Sequence, residues 1–180
     1  SYRTKTGKMA TLTLDDTDRT LLALLQRDGT IPYSELGGKV GLSASAVNDR
    51  LKRLRARNVL KGIVAEVDPL ALGRELLVFL LVEIGGAKHE QEFRARMATL
   101  PEVLECHHIA GDYSYLLKLR LAGPGHFERF LSEQVKTIGG IQRTHSVIAL
   151  STIKETQAID TQAIDTRAID PSVVAGRGHA

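Results

Sequence analysis

Apolar residues recur along this chain with two different rhythms, and the change between them divides it. In the first third they come at helical spacing. Leu14-Asp15-Asp16-Thr17-Asp18-Arg19 opens a first helix, with acidic residues in the turn where the helix dipole favours negative charge. Leu21, Leu22, Leu24 and Leu25 supply its apolar face, and Asp28-Gly29 ends it. Pro32 precedes a second, short helix over Tyr33–Val40. A third follows Gly41-Leu42-Ser43, where Ser43 can cap the free N–H groups of the first turn. On that helix Val47, Leu51 and Leu54 form one narrow apolar stripe. Ser45, Asp49 and Lys52 fall near the opposite side, flanked by Asn48 and Arg53. Gly37-Gly38 inside the second helix is unfavourable, each glycine costing ~1 kcal/mol relative to alanine. Gly37 lies four residues before Gly41, where the two helices of a helix-turn-helix cross closely and only a tiny side chain fits. Gly38 has no such reason. The two short helices and the turn at Gly41 make a helix-turn-helix candidate.

From residue 59 onward the rhythm shortens to alternation. Ile63, Ala65 and Val67 predict a small β-hairpin wing or a linker strand that ends at Asp68-Pro69. Leu76–Ile84 is a continuous apolar run that predicts a buried strand. A helix is expected over 90–100, with Phe93, Met97 and Leu100 on one side, and a strand over 103–109. Gly111-Asp112 is a turn, and Tyr115–Leu121 a strand with alternating Leu117, Leu119 and Leu121. A second helix over 127–138, a turn at Gly139-Gly140 and a strand over 141–153 complete the pattern. The order β-α-β-β-α-β is the ferredoxin-like arrangement, an antiparallel sheet with both helices on one face. Its other face, rich in leucine and valine, calls for a cover, most simply a second copy of itself.

The predicted class is therefore α+β, in five parts. Residues 1–8 are a flexible basic arm or an appended non-native stretch, and 9–62 a helix-turn-helix domain. Residues 63–74 are a linker strand, 75–155 the βαββαβ domain, and 156–180 a low-complexity tail. In that tail Gln157-Ala158-Ile159-Asp160-Thr161 is followed by an identical copy at 162–166, then by Arg167-Ala168-Ile169-Asp170. A five-residue period gives its isoleucines no common face on either a helix or a strand, so a disordered or weakly docked tail is expected.

Composition changes this picture little: 43% hydrophobic and 25% charged residues are ordinary for a globular protein. The longest apolar run, 76–82, falls far short of the ~20 residues of a membrane span. With one cysteine, Cys106, and no visible secretory signal, a cytoplasmic location is expected. Charge is more informative. Residues 1–66 carry 12 Lys+Arg against 7 Asp+Glu, whereas the remainder carries 12 against 14. A basic first part points to nucleic acid as its partner.

On the third helix, Ser45, Asn48, Asp49 and Lys52 are placed to reach base edges, and Asn48 could pair an adenine edge in bidentate fashion. Arg50, Arg53 and Arg57 suit phosphates, with Ser43 at the helix start beside them, although Arg50 sits near the apolar stripe and could make an internal ion pair instead. A cationic helix is also what an ordinary solvated face looks like. Cys106-His107-His108 invites a metal reading, but adjacent strand residues point to opposite faces and no second cluster has ligand spacing. No metal or cofactor is expected. Neither a Gly-x-Ser-x-Gly turn, a phosphate loop nor a zinc-hydrolase helix occurs, which argues against an enzyme.

Taken together, several motifs carry a resemblance. Leu14-Asp15-Asp16-x-Asp18-Arg19, Asp28-Gly29, Glu35-Leu36 and Val40-Gly41-Leu42-Ser43-x-Ser45-x-Val47-x-x-Arg50-Leu51-Lys52-Arg53-Leu54 come first. Asp68-Pro69-x-x-Leu72-Gly73, Gly111-Asp112-Tyr113-x-Tyr115-Leu116-Leu117 and Gly140-Ile141-x-x-Thr144-x-Ser146-x-Ile148 follow in order. The pattern resembles the Lrp/AsnC family, the feast/famine transcription regulators of bacteria and archaea, from Met9 to Glu155. The resemblance implies duplex DNA binding by the first domain. It also implies dimerisation through the sheet, further assembly into a tetramer of dimers, and a small amino-acid effector held between dimers. Gly111, Asp112, Tyr113, Ser114, Thr144 and Ser146 are the effector residues it implies, although Gly111-Asp112 also fits a plain hairpin turn. Relatives often carry an acidic residue where Ser114 stands, so a partner for the effector's ammonium group is missing here. Two other readings stay open. One is a sirohaem-decarboxylase-like enzyme using His107, His108 and His145, against which the cationic helix argues. The other is an architectural DNA-wrapping protein indifferent to amino acids.

Overall fold

The computed structural model describes residues 14–162, so the arm expected at 1–8 and the tail beyond 162 lie outside the described residues. The described chain forms two compact units, 14–65 with 156–162 and Glu66–Glu155. In the first, α1 (Asp16–Arg27), α2 (Tyr33–Val40) and α3 (Ala44–Ala56) follow the apolar pattern. Each boundary has a local cause. The Asp15 carboxylate caps α1 by accepting the Asp18 N–H at 2.7 Å, and Ser43 Oγ caps α3 by accepting the Ala46 N–H at 3.2 Å. Gly41 ends α2 in the left-handed region, at φ 69°, where glycine meets no Cβ penalty. The three helices close over Leu21, Leu36, Val47, Leu51 and Leu54, with Leu25 and Ile31 at the margin. A Cβ on Gly37 would lie 2.2 Å from the carbonyl oxygen of Leu42. The close approach expected at Gly37 is thus real, but its partner is the backbone of the turn rather than the facing helix. A Cβ on Gly38 would meet open space.

Among the described residues the expected wing or linker strand is not paired: residues 61–68 have no ladder partner there, and Ile63, Val64 and Val67 are 44, 82 and 57% exposed. Alternation alone cannot make a strand without a second strand beside it.

The second unit is built on an antiparallel sheet in the order β2-β3-β1-β4. Its elements are β1 (Leu76–Ile84), α4 (Ala87–Met97), β2 (Val103–His108), β3 (Tyr115–Leu121), α5 (Pro124–Arg129) and β4 (Ile141–Ile148). Val78, Leu80 and Val82 of β1 and Leu117 and Leu119 of β3 bury one face of the sheet with Phe93, Met97, Phe130 and Val135. This is the expected βαββαβ arrangement, with three local differences. The first helix starts at Ala87, earlier than the expected 90, directly after Gly86 at φ 90°. The second starts at Pro124, which suits a first helical turn, and continues as a π-helical stretch over Phe130–Val135. The i to i+5 spacing of that coil lets both Phe130 and Val135 point inward. Finally, β4 stops at Ile148, opposite Val78, two residues short of the start of β1. Ala149 N–H makes the last bond, to Leu77 at 3.0 Å, and Leu150 and Ile153 beyond it are almost wholly exposed.

The opposite face of the sheet carries Phe79 beside Val147, Leu81 beside His145, and Leu116, Lys118 and Arg120 on β3. Glu155 binds there, 2.5 Å from Lys118 and 2.7 Å from Arg120, while Glu105 holds Lys118 from the other side at 3.1 Å. The Lys118 hydrogen bond, followed by that of Arg120, holds the Glu155 carboxyl below its ordinary value of 4.5. Lys118 is raised above 10.5, chiefly by Glu155. The carboxylate's contribution is therefore present above about pH 4.5 and is lost as pH falls through its lowered folded value. The lysine's is lost only as pH rises beyond its ordinary range. Glu155→Gln is expected to lower stability by about 0.5–1 kcal/mol near neutral pH, this being a partly exposed pair. Thermal unfolding repeated at about pH 3 should show that difference closing.

Candidate nucleic-acid interface

The sequence of α3 sorts its polar side chains into two stripes. Ser45, Asp49 and Lys52, spaced four and three apart, are exposed on the side away from Val47, Leu51 and Leu54, with Asn48 half-buried beside them. Arg50, Arg53 and Arg57 form the second stripe and line a polar cleft with Leu54 and with Asp15 and Asp18 of the α1 start. Ser43 is committed to the cap, its hydroxyl 2.9 Å from Ser45 Oγ.

Arg50 departs from the phosphate set. One guanidinium nitrogen reaches Asp15 Oδ2 at 2.6 Å and Asp18 Oδ1 at 2.8 Å. Asp18 is the buried charged side chain of this unit, so the pair offsets its desolvation and ties α3 to α1. The Arg50 hydrogen bond, then the Asp18 backbone N–H, holds the Asp15 carboxyl below its ordinary 3.8, and Arg50 itself is raised. Of the two readings that its place beside the apolar stripe left open, the internal ion pair is the one formed. Arg53 and Arg57 remain exposed.

The six implied effector residues do not converge on one point. Ser114 lies against β1: its N–H donates to Val82 at 2.9 Å, and its hydroxyl stands 3.4 Å from both backbone polar atoms of Ile84. Thr144 and Ser146 lie on the far side of β1, opposite Val82 and Leu80. Gly111, at φ 128°, turns the hairpin between β2 and β3. Tyr113 belongs to a separate group around Arg143, which the sequence pattern did not single out. The Arg143 guanidinium lies 4.5 Å from the Tyr113 ring centre, donates to the Asp112 carbonyl at 3.3 Å and to Glu83 at 3.1 Å. His145 is 6.4 Å from the same ring. Only the pairing of Glu83 with Arg143 across β1 and β4 brings these groups together, and that register is not written in either strand alone.

His107 and His108 point to opposite faces of β2, as expected, since His107 reaches Glu105 at 3.1 Å whereas His108 stacks near Tyr115. His145 is on β4, at the other edge of the sheet. The three histidines therefore share no centre within one chain. Among the described residues no group of three His, Cys, Asp or Glu side chains is placed to hold a metal ion. None of the described helices is long and apolar enough to cross a membrane.

Comparison with known proteins assigns both units. Residues 14–55 match the AsnC-type helix-turn-helix domain, and residues 77–159 match the Lrp/AsnC ligand binding domain. The chain belongs to the Lrp/AsnC family. Lrp/AsnC relatives include the HTH-type transcriptional regulator FL11 of Pyrococcus furiosus, 36% identical over 79% of this chain and 93% of that protein. The leucine-responsive regulatory protein of Salmonella typhimurium is 32% identical over 81% of the chain and 90% of its own length. A transcriptional regulator of Neisseria meningitidis, solved as an L-methionine complex, superposes with a TM-score of 0.77 at 30% identity, covering 82% of this chain and 96% of that one. The feast or famine regulatory protein of M. tuberculosis, complexed with L-methionine, gives 0.75 at 35%, covering 82% and 99%. These Lrp/AsnC relatives are regulators and not enzymes, and they lend no support to the sirohaem-decarboxylase reading.

Proposed function

We propose that this Lrp/AsnC regulator reads duplex DNA through α3 and responds to an amino acid, with methionine the first candidate. Supporting the first part is one observation above others: the cationic, polar side of α3 stands exposed while Arg50 fixes the helix to α1. Ser45, Asn48, Asp49 and Lys52 face base edges, and Arg53 and Arg57 hold phosphates. The effector lies near Tyr113, Arg143, Ser114 and Thr144. Arg143 offers a carboxylate partner, and Asp112 and Glu83 offer acceptors for an ammonium group. The two relatives solved with L-methionine favour this ligand class. The apolar, helix-free sheet face around Phe79, Leu81 and Val147 supports a homodimer, with a tetramer of dimers as the further assembly. A role on DNA supports a cytoplasmic location.

A titration of the protein against DNA from its own promoter, at several salt concentrations, tests this. Lys52→Ala and Arg53→Ala should each weaken binding by roughly 5- to 20-fold. Arg53→Ala should lower the salt slope by about one, as loss of a phosphate contact does. Unchanged affinity and slope in both variants would refute α3 as the reading helix. L-methionine added to the same titration should move its midpoint, and no movement with any amino acid would favour the architectural reading.

A further inference from the structure

The helix-free face of the sheet sorts its side chains into an apolar centre and a charged border. Phe79 and Leu81 of β1, Leu116 of β3 and Val147 of β4 stand at neighbouring register positions on that face, each half-buried or exposed. Beyond them at one end, Glu83 pairs with Arg143 at 3.1 Å. Toward the other end and β2, Glu105, Lys118, Arg120 and Glu155 form one network. The four strands and Glu155 together place three cations and three anions on this face, and all six are paired within the chain. An apolar centre inside a polar border is the anatomy of a protein–protein interface.

The balance depends on a residue outside the sheet. Strand β3 presents both Lys118 and Arg120 here, and the adjacent β2 offers one acid, Glu105, which His107 also reaches. Glu155 supplies the second acid, seven residues after the end of β4. Since β1 lies between β4 and β3, the chain must cross β1 to bring it there. Leu150 and Ile153 along that crossing are almost wholly exposed, so apolar packing of these side chains does not hold it. Its far end is held by the ion pairs of Glu155 with Lys118 and Arg120.

On the footing of the homodimer proposed above, we infer that Glu155 fits this face to a second copy of the chain by bringing its net charge to zero. A two-fold interface sets the same patch against itself, so any net charge on the patch meets its own sign. Without Glu155, three cations would stand against two anions, and each copy would bring one uncompensated cation into a partly desolvated contact. With it, nothing in the balance of charge opposes self-association, and the apolar centre can be covered. The same neutrality withholds any electrostatic gain from a strongly acidic or basic partner surface.

The test is sedimentation of the full chain over a dilution series at pH 8, above the range in which histidines such as His107 and His145 ordinarily titrate. Glu155→Gln leaves the face one positive charge in excess, and Arg120→Gln leaves it one negative charge in excess. Each variant alone is expected to dissociate at roughly 10- to 100-fold higher concentration than wild type. An equimolar mixture of the two should recover association near the wild-type level, because opposite excesses then meet. The double variant Glu155→Gln with Arg120→Gln, neutral again, should recover it as well. Wild-type association in Glu155→Gln would overturn the charge role. So would a weakened Glu155→Gln that neither the mixture nor the double variant restores, since the residue would then act only by holding the crossing segment. A wild-type chain that stays monomeric at every concentration would instead refute the homodimer reading itself.

Discussion

Gly37→Ala is expected to unfold much of the helix-turn-helix unit at growth temperature, whereas Gly38→Ala, one residue on, should leave it intact or more stable. The difference follows from what each added methyl meets. At Gly37 it would stand 2.2 Å from the Leu42 carbonyl oxygen, a backbone atom of the turn, so α2 and α3 must part before it fits. The same turn depends on the Gly37 carbonyl, which accepts the Leu42 N–H at 2.8 Å. Displacement would break that bond as well. A cost of about 3 kcal/mol or more is expected, at the upper end of overpacking penalties. A unit this small would register that as a fall in Tm of more than roughly 10 °C. At Gly38 the methyl meets open space, and removing a helical glycine should add up to ~1 kcal/mol. Thermal unfolding of the two variants side by side checks both signs. Equal Tm values would mean that the turn gives way more easily than its geometry indicates.

Arg50→Ala should have the next largest effect, on stability and DNA affinity together. It leaves the Asp18 carboxylate buried without its cation. Loss of one member of a fully buried pair costs about 3–5 kcal/mol, and the partial exposure of Arg50 and Asp15 brings the expected figure nearer 2–3. Since one guanidinium nitrogen serves both carboxylates, a lysine ammonium can stand in its place, and Arg50→Lys should recover most of the loss. Acid provides a check on sign. Arg50 lowers the pKa of Asp15, so this part of the stability is present above the ordinary value of 3.8 and lost as pH falls through the lowered one. The gap between denaturant titrations of wild type and Arg50→Ala should therefore narrow as pH falls below about 3.8. A constant gap at all pH values would assign the effect to lost packing instead.

Where punctuation is local, the chain could be read directly. Pro32, Gly41 and Ser43 bound α2 and α3 by their own backbone preferences, and the unbroken apolar run of β1 and the alternation of β3 bound those strands. Features set by a distant partner were not legible. The end of β4 is set by where its pairing with β1 stops, and the expected strand near Ile63 needs a neighbour that the described residues do not supply. The same reason hides the Arg143 cluster. Asp112 and Tyr113 were implied by the resemblance, but Glu83 and Arg143 are ordinary residues until the register of β1 on β4 places them together. Arg50 was legible only as an alternative, because its angle on α3 allows either a phosphate or an internal carboxylate. A weakly docked tail was one of the two expectations, but the apolar pattern could not point to Gln26, whose side-chain amide pairs the backbone N–H and carbonyl of Ile159 rather than its side chain.

The stacking of Arg143 on Tyr113 has a spectroscopic consequence. The chain contains no tryptophan and four tyrosines, so its intrinsic ultraviolet emission is tyrosine emission, unmasked by a brighter fluorophore. Tyr115 is sealed in the core, while Tyr113 stands half-exposed under a guanidinium. Any small molecule that drew Arg143 away would alter the emission of that ring more directly than that of its buried neighbour. A Tyr113→Phe variant would identify the part of the signal that belongs to it. The protein thus carries an optical reporter at its own candidate ligand face, usable without a label.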